Sequence, residues 1–257
     1  MGRAQEAVRR VAVAKVDGCV RRADMSESRA PNPATFARSS RSRLTSRDLG
    51  RFPGDTLFDR IGRAVCRAGC LPRKELFESW EMARRVRRVC RGGRIVDLAG
   101  GHGMLAMAML LLDDSSPSAI VADPRVPPSA VVLRDALIET WPRLADRVAF
   151  VAQALDEVPL AAGDIVVASH ACGALTDQLI QRAIGARVPV AVLPCCHDHA
   201  RLDSGSLAGW IDGGLAIDIQ RVHTLEQHGY RVRTACIPDD ITPKNRLLIA
   251  VPGEHDA

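Results

Sequence analysis

The sequence has little lysine, few aromatic rings and no long apolar run. Only Lys15, Lys74 and Lys244 stand among its 35 basic residues. The body of the chain holds Lys244 alone, which excludes mechanisms that need two neighbouring lysines there. Three Trp, one Tyr and five Phe leave little aromatic surface for stacking nucleic-acid bases. No stretch of about 18 uncharged apolar residues exists, so a transmembrane helix is excluded and no membrane partner is expected. The amino terminus lacks the apolar core of a secretory signal. The eight cysteines form no pair of C-x2-C motifs, which argues against a zinc ribbon. Their irregular spacing, without a secretory signal, predicts free thiols in a reducing cytoplasm.

What is present divides in two. The 257 residues are 47% hydrophobic and 25% charged, enough for one α/β domain with an extension. The net charge of +5 conceals an asymmetry: residues 1–93 carry 22 Lys+Arg against 10 Asp+Glu, and residues 94–257 carry 13 against 20. We read three segments: a basic leader (1–51), a basic helical cap (52–93) and a main domain (94–257). The leader is Arg- and Ser-rich and predicts disorder. It suits an organelle transit peptide, an RNA-binding arm or a solvated tail, and Met25 is an alternative start. In the cap, Asp55 is a candidate N-cap for a helix to Ala68, with Leu57, Ile61 and Val65 on one stripe. A second helix is predicted from Arg73 to Arg91, with Leu76, Trp80, Ala83 and Val86 facing one way. Arg84, Arg85, Arg87, Arg88 and Arg91 crowd its end, making 73–91 a candidate RNA-binding surface, with no DNA partner expected.

From Arg94 the texture changes. Short aliphatic strands are predicted at Ile95–Leu98, Ala119–Asp123, Val148–Val151, Asp164–Ser169 and Val188–Leu193. Helices fall between them at Gly103–Leu112, Ser129–Thr140, Leu175–Ile184 and Leu207–His228. Buried strands alternating with helices mean a parallel sheet covered on both faces. Tyr230–Ile237 and Arg246–Val251 follow, joined by a link too short for a crossover helix, so they should form an antiparallel hairpin.

The segment Asp97-Leu98-Ala99-Gly100-Gly101-His102-Gly103 sits where the first strand turns into a helix. Glycines there let the backbone bend and approach a ligand. The full G-x-G-x-x-G spacing is absent, and Asp97 would repel a pyrophosphate, so a cationic ligand fits better. Asp123 ends the second strand, where a carboxylate accepts ribose hydroxyls. As a set, these features resemble class I S-adenosylmethionine-dependent methyltransferases over residues 94–251, with Ala99 replacing the family's first glycine. That resemblance implies a Rossmann-like seven-stranded sheet of five parallel strands and a C-terminal antiparallel hairpin, behind an N-terminal helical cap. It implies S-adenosylmethionine as cofactor, with Asp97, Ala99, Gly101 and Gly103 at its methionine end and Asp123 at its ribose. Gln153 and Ala154 would flank the adenine, with Asp156 a partner for its amino group.

Two further loops follow the fourth and fifth strands: His170-Ala171-Cys172-Gly173 and Pro194-Cys195-Cys196-His197. Those strands are neighbours in the methyltransferase order, so His170, Cys172, Cys195, Cys196 and His197 should converge near the transferred methyl group. Three readings stay open: an acceptor pocket with a His as general base, a metal site, or buried thiols with hydrogen-bonded histidines. Adjacent Cys195 and Cys196 diverge on an extended chain, which argues against both binding one ion. The motifs from His170 to Asp177, Pro194 to His197 and Thr242 to Asn245 resemble the branch containing the eukaryotic tRNA 2′-O-methyltransferases and related methyltransferase-like proteins. The Lys-Asp-Lys-Glu set of many ribose methyltransferases and the (D/N)-P-P-(Y/F) loop of N-methylating enzymes are both missing. Small-molecule or protein acceptors, and a non-catalytic cofactor-binding scaffold, are the alternatives.

Overall fold

The computed structural model describes residues 36–194, 196–197 and 205–253. Seven strands form one sheet: β1 (Ile95–Leu98), β2 (Ala119–Ala122), β3 (Val148–Val151), β4 (Ile165–Ala168), β5 (Val190–Val192), β6 (Tyr230–Cys236) and β7 (Arg246–Pro252). Their order is β3-β2-β1-β4-β5-β7-β6. The first five pair in parallel, and β7 is antiparallel to both β5 and β6. The short runs I-V-D-L and I-V-V-A are buried at every position, as central parallel strands require. The chain leaves β1 towards β2 on one side and returns to β4 on the other. That reversal opens a crevice at the carboxyl ends of the strands.

Helices α1 (Leu57–Ala68), α2 (Arg73–Val86), α3 (Met104–Leu112) and α4 (Ser129–Thr140) share one apolar cluster with alternate sheet residues such as Ile95, Val121, Val167 and Ile249. Helices α5 (Ala174–Ala186) and α6 (Gly213–Gln227) belong to a second cluster with the other set, Val96, Val166, Val190 and Ala250. Side chains alternate across a strand, so the two clusters are the two faces of the sheet. Helix α3 is apolar all round because it lies under α2 as well as on the sheet. Phe36 joins Phe52, Phe58, Phe77 and Trp80 of the cap in one aromatic cluster with edge and tilted contacts of 5.1–6.4 Å. The leader expected to be disordered is therefore ordered over residues 36–51, where Leu44 is buried and its N–H bonds Leu71 O at 3.0 Å, and its residues 1–35 lie outside the described residues.

Three element ends differ from the sequence expectations. Helix α1 is capped by Thr56, not Asp55: the Thr56 hydroxyl accepts the Asp59 N–H at 3.1 Å, while the Asp55 side chain is exposed. Helix α2 stops at Val86 instead of running to Arg91. Its end is fastened by Arg87, which is buried and bonded to Met109 O, Cys90 O and Ser116 Oγ, with Asp113 as ion-pair partner at 3.4 Å. The predicted helix over 207–228 is a 3-10 turn (Gly205–Gly209) followed by α6. Asp212 breaks the two apart, because its carboxylate accepts the Leu215 N–H at 3.0 Å and starts a new helix.

Candidate active site

The glycine loop wraps over the carboxyl end of β1. Asp97 lies beneath it with no exposed surface, so its carboxyl is under the loop rather than on its rim. One oxygen accepts the Ala106 N–H at 3.3 Å and the other has no partner among the described residues. Burial pushes the Asp97 pKa up to about 7, with the Ala106 N–H opposing the rise and the Asp123 charge adding to it. A cationic group placed beside that orphaned oxygen would satisfy it.

The loop's geometry is set by its small residues. Gly103 has φ 72°, and a Cβ there would meet Val121 at 2.9 Å and the Phe150 ring at 3.0 Å. A Cβ on Gly100 would meet Val121 at 2.7 Å and the Asp97 carboxyl at 2.8 Å. Gly101, at φ 51°, faces open space instead. The loop is therefore pressed onto the sheet at two glycines and open to a ligand at the third.

Asp123 follows β2 and is half-buried. One oxygen accepts the Gly101 N–H at 3.3 Å and the other accepts the Arg125 N–H at 2.8 Å. These bonds orient the carboxylate beside the loop and leave lone pairs for further donors. Asp123 N bonds Val151 O at 3.2 Å, which brings the end of β3 alongside. Gln153 and Ala154 follow there, half-buried, with Ala154 N held by the Glu157 carboxylate at 2.8 Å. Asp156 is exposed. The arrangement therefore has the parts a nucleoside-bearing cation requires: an open glycine, an oriented carboxylate and a buried acid.

The loops after β4 and β5 meet directly. Gly173 N donates to Cys196 O at 3.1 Å, and Cys172, Cys196 and His197 line one cavity of about 460 Å³ with Leu175 and Gln178. Cys195 lies outside the described residues. His170 is half-buried. His197 sits differently: its side chain is 1% exposed, and Nε2 bonds Asp218 Oδ1 at 2.8 Å. Among the described residues, no group of three or more His, Cys, Asp or Glu is placed to hold a metal ion.

Sequence reading missed the residues that organise these loops. Asp218, on α6, accepts from His197, from Arg221 at 3.0 Å and from Arg246 at 2.6 Å. Arg221 also binds both oxygens of Asp177 at 2.8 Å and the Gly173 carbonyl at 3.2 Å. Burial alone would raise the Asp218 pKa, but the bonds from His197 and Arg246 overcome it and hold the carboxyl below the usual range. Both loops and the start of β7 are thus tied to one Asp-Arg pair. The only signal was their spacing three apart on a predicted helix.

The cysteines divide by place. Burial raises Cys66 and Cys90 to about 11 and raises Cys70 as well, which makes them inert core residues. Cys172 and Cys196 are exposed. Cys236 departs from the expectation of reduced thiols, because it is disulfide-bonded.

The basic end of α2 is not beside this site. Arg87 is buried against the far end of α3, and Arg84 and Arg85 pair with Glu81. Helix α3 spans about 13 Å by its rise per residue, so Arg87 at its carboxyl end stands about that far from the glycine loop at its amino end.

Residues 77–202 match the family described as Methyltransferase domain. With the glycine loop and the strand order above, this decides the enzyme class. The chain carries a methyltransferase domain, whose methyl donor is S-adenosylmethionine. No curated protein sequence matches it. Similar solved structures include a precorrin-6y C5,15-methyltransferase from Geobacter metallireducens GS-15, 13% identical, covering 67% of this chain and 86% of that one with a TM-score of 0.44. An O-methyltransferase family protein from Burkholderia thailandensis is 17% identical, covering 82% and 68%, with a TM-score of 0.47. The methyltransferase's residues fit the cofactor, which supplies an electrophilic methyl group when bound. Among the described residues, no helix is long and apolar enough to cross a membrane.

Proposed function

We propose that the methyltransferase modifies an RNA acceptor held in the cavity beyond β4 and β5. The observation that carries this reading is the joining of the two loops by the Gly173–Cys196 bond, so that one cavity stands beside the glycine loop's neighbouring strand. His170, at the end of β4, serves as the base that takes the acceptor's proton. His197 serves as a positioning residue, because Asp218 holds its ring. Asp97 and the glycines hold the methionine end of the cofactor, Asp123 holds the ribose, and Gln153 and Ala154 flank the adenine.

Two surface features support a nucleic-acid acceptor over a free metabolite. Arg41, Arg43, Arg47 and Arg51 are exposed on the segment that pairs with the start of α2. That start reaches the glycine loop, since Glu75 lies 3.4 Å from His102. This rim, unlike the far end of α2, is at the right edge to meet phosphates. Trp210 is 85% exposed, four residues before Gly214, where a Cβ would stand only 3.1 Å from His197 Nδ1. An exposed indole there offers a stacking surface for a base. The motifs from His170 to Asp177 and Pro194 to His197 add the likeness to the tRNA 2′-O-methyltransferase branch. Transfer of labelled methyl groups to total RNA, protein and small-molecule fractions tests the reading. Label in RNA supports it; label confined to small molecules or to protein overturns it.

A further inference from the structure

We infer that Cys172 and Cys196 are a reversible disulfide-forming pair that closes the acceptor cavity. The assignment rests on the proposed acceptor site and adds its regulation. Both side chains are exposed, and both line the same cavity. The chain brings them together from separate loops through the Gly173 N–H to Cys196 O bond of 3.1 Å. That bond limits the separation of their α-carbons. Adding the two-bond spans from Cys172 Cα to Gly173 N and from Cys196 O to Cys196 Cα gives an upper limit of roughly 8 Å, and any bend at the hydrogen bond shortens it. Bridged cysteines have α-carbons about 4.4–6.8 Å apart, so the limit leaves room for a bridge without refolding.

The pairing differs from the buried thiols in one decisive way. Cys66 and Cys90 are shut in the core and held protonated by burial, so oxidants do not reach them. Cys172 and Cys196 are exposed and line the cavity proposed to hold the acceptor. The loops that carry them are otherwise anchored: Arg221 holds the Gly173 carbonyl and Asp218 holds His197. A bridge would therefore seal the cavity wall without disturbing the glycine loop, which belongs to β1.

The oxidant is a small-molecule disulfide such as oxidised glutathione. The thiolate of one cysteine attacks its S–S bond, forming a mixed disulfide and expelling one glutathione thiolate. The second cysteine's thiolate attacks the protein sulfur of that mixed disulfide and expels the second glutathione. Two protein thiols become one disulfide, and their two protons end on two reduced glutathione molecules.

The test uses the full chain. Protein is incubated with oxidised glutathione, remaining thiols are alkylated, and peptides are mapped with and without dithiothreitol. A linked Cys172–Cys196 peptide that vanishes in Cys172→Ser and in Cys196→Ser is the expected result. Calorimetric affinity for S-adenosylmethionine should stay within about twofold, while methyl transfer to RNA falls at least tenfold and returns on reduction. Alkylation of both thiols after oxidation, or linkage of Cys172 to Cys195 in its place, overturns the pair. A tenfold loss of cofactor affinity on oxidation overturns closure of the acceptor cavity alone. The peptide map needs no acceptor, so failure of the RNA reading would show separately, as label absent from RNA in fully reduced protein.

Discussion

Ala99 holds φ at 56°, a left-handed backbone angle that costs an L-residue about 1–2 kcal/mol. Glycine adopts that angle without the cost but loses about 0.4–1 kcal/mol through its freer unfolded chain. Ala99→Gly is therefore expected to raise stability by up to about 1.6 kcal/mol, read as a melting-temperature gain of at most roughly 3–6 °C. A clear fall in melting temperature would show that the methyl group makes a contact worth more than the strain. Gly103→Ala should do the opposite. Its methyl group would strike Val121 and Phe150, so cofactor affinity and stability should both drop, the latter by about 1–3 kcal/mol. Asp97 makes a pH-dependent prediction. Its folded pKa of about 7 lies above the unfolded value, so the fold retains a proton that the unfolded chain loses. Its share of stability is present below about pH 4 and is lost as pH rises towards 7. A cationic ligand beside Asp97 favours the ionised form, so binding at pH 6.5 should release a proton. Calorimetry in buffers of different ionisation enthalpy measures that release. Equal enthalpies in all buffers, or release that survives Asp97→Asn, would count against this role.

Elements differ in how much of them the residues announced. The strands were legible because their positions are apolar on both sides, as in Ile165–Ala168. The glycine loop was legible because three turn-forming glycines stood between a strand and a helix. The ends of α2 and the long 207–228 helix were not. Arginine on a helix reads as solvent-facing, and only the distant Asp113 and Ser116 turn Arg87 inward. Apolar periodicity runs on across Asp212, and only its cap bond to Leu215 divides the stretch. The loop-anchoring network was hidden for the same reason, since α6 meets the β4 and β5 loops only in the folded chain. Asp218→Asn should expose that network. It leaves Arg221 and Arg246 short of a buried counter-charge, a change that costs about 3–5 kcal/mol. The depressed pKa of Asp218 gives its contribution a direction: it is full above the unfolded value near 3.9 and is lost as pH falls through the folded one. The variant's stability deficit should thus shrink in acid. A deficit that is small at pH 7 would remove the network from its anchoring role.

At the scale of the whole molecule, the described part of the basic front, residues 36–93, takes on definite positions. The cap shares its apolar cluster with the sheet, so its arginines are fixed relative to the site. Arg84 and Arg85 at the end of α2 pair with Glu81 and Arg87 is buried against Asp113, while the exposed arginines at 41–51 lie on the segment that bridges to Pro72, three residues before Glu75, which contacts His102. Replacing Arg41, Arg43 and Arg47 together by Ser should weaken RNA binding at least tenfold and flatten its salt dependence. The same change in Arg84, Arg88 and Arg91 should do little, and the reverse result would relocate the acceptor surface. Trp210→Ala should lower acceptor affinity by about 1–3 kcal/mol with cofactor affinity intact. All of this depends on the cofactor resting on the glycine loop and Asp123. Isothermal titration with S-adenosylmethionine, wild type against Asp123→Ala, measures that directly. The account predicts binding by the wild type and a loss of roughly 10–100-fold in the variant, the worth of charge-assisted bonds to the ribose. No binding by the wild type, or equal affinity in the two proteins, would contradict it.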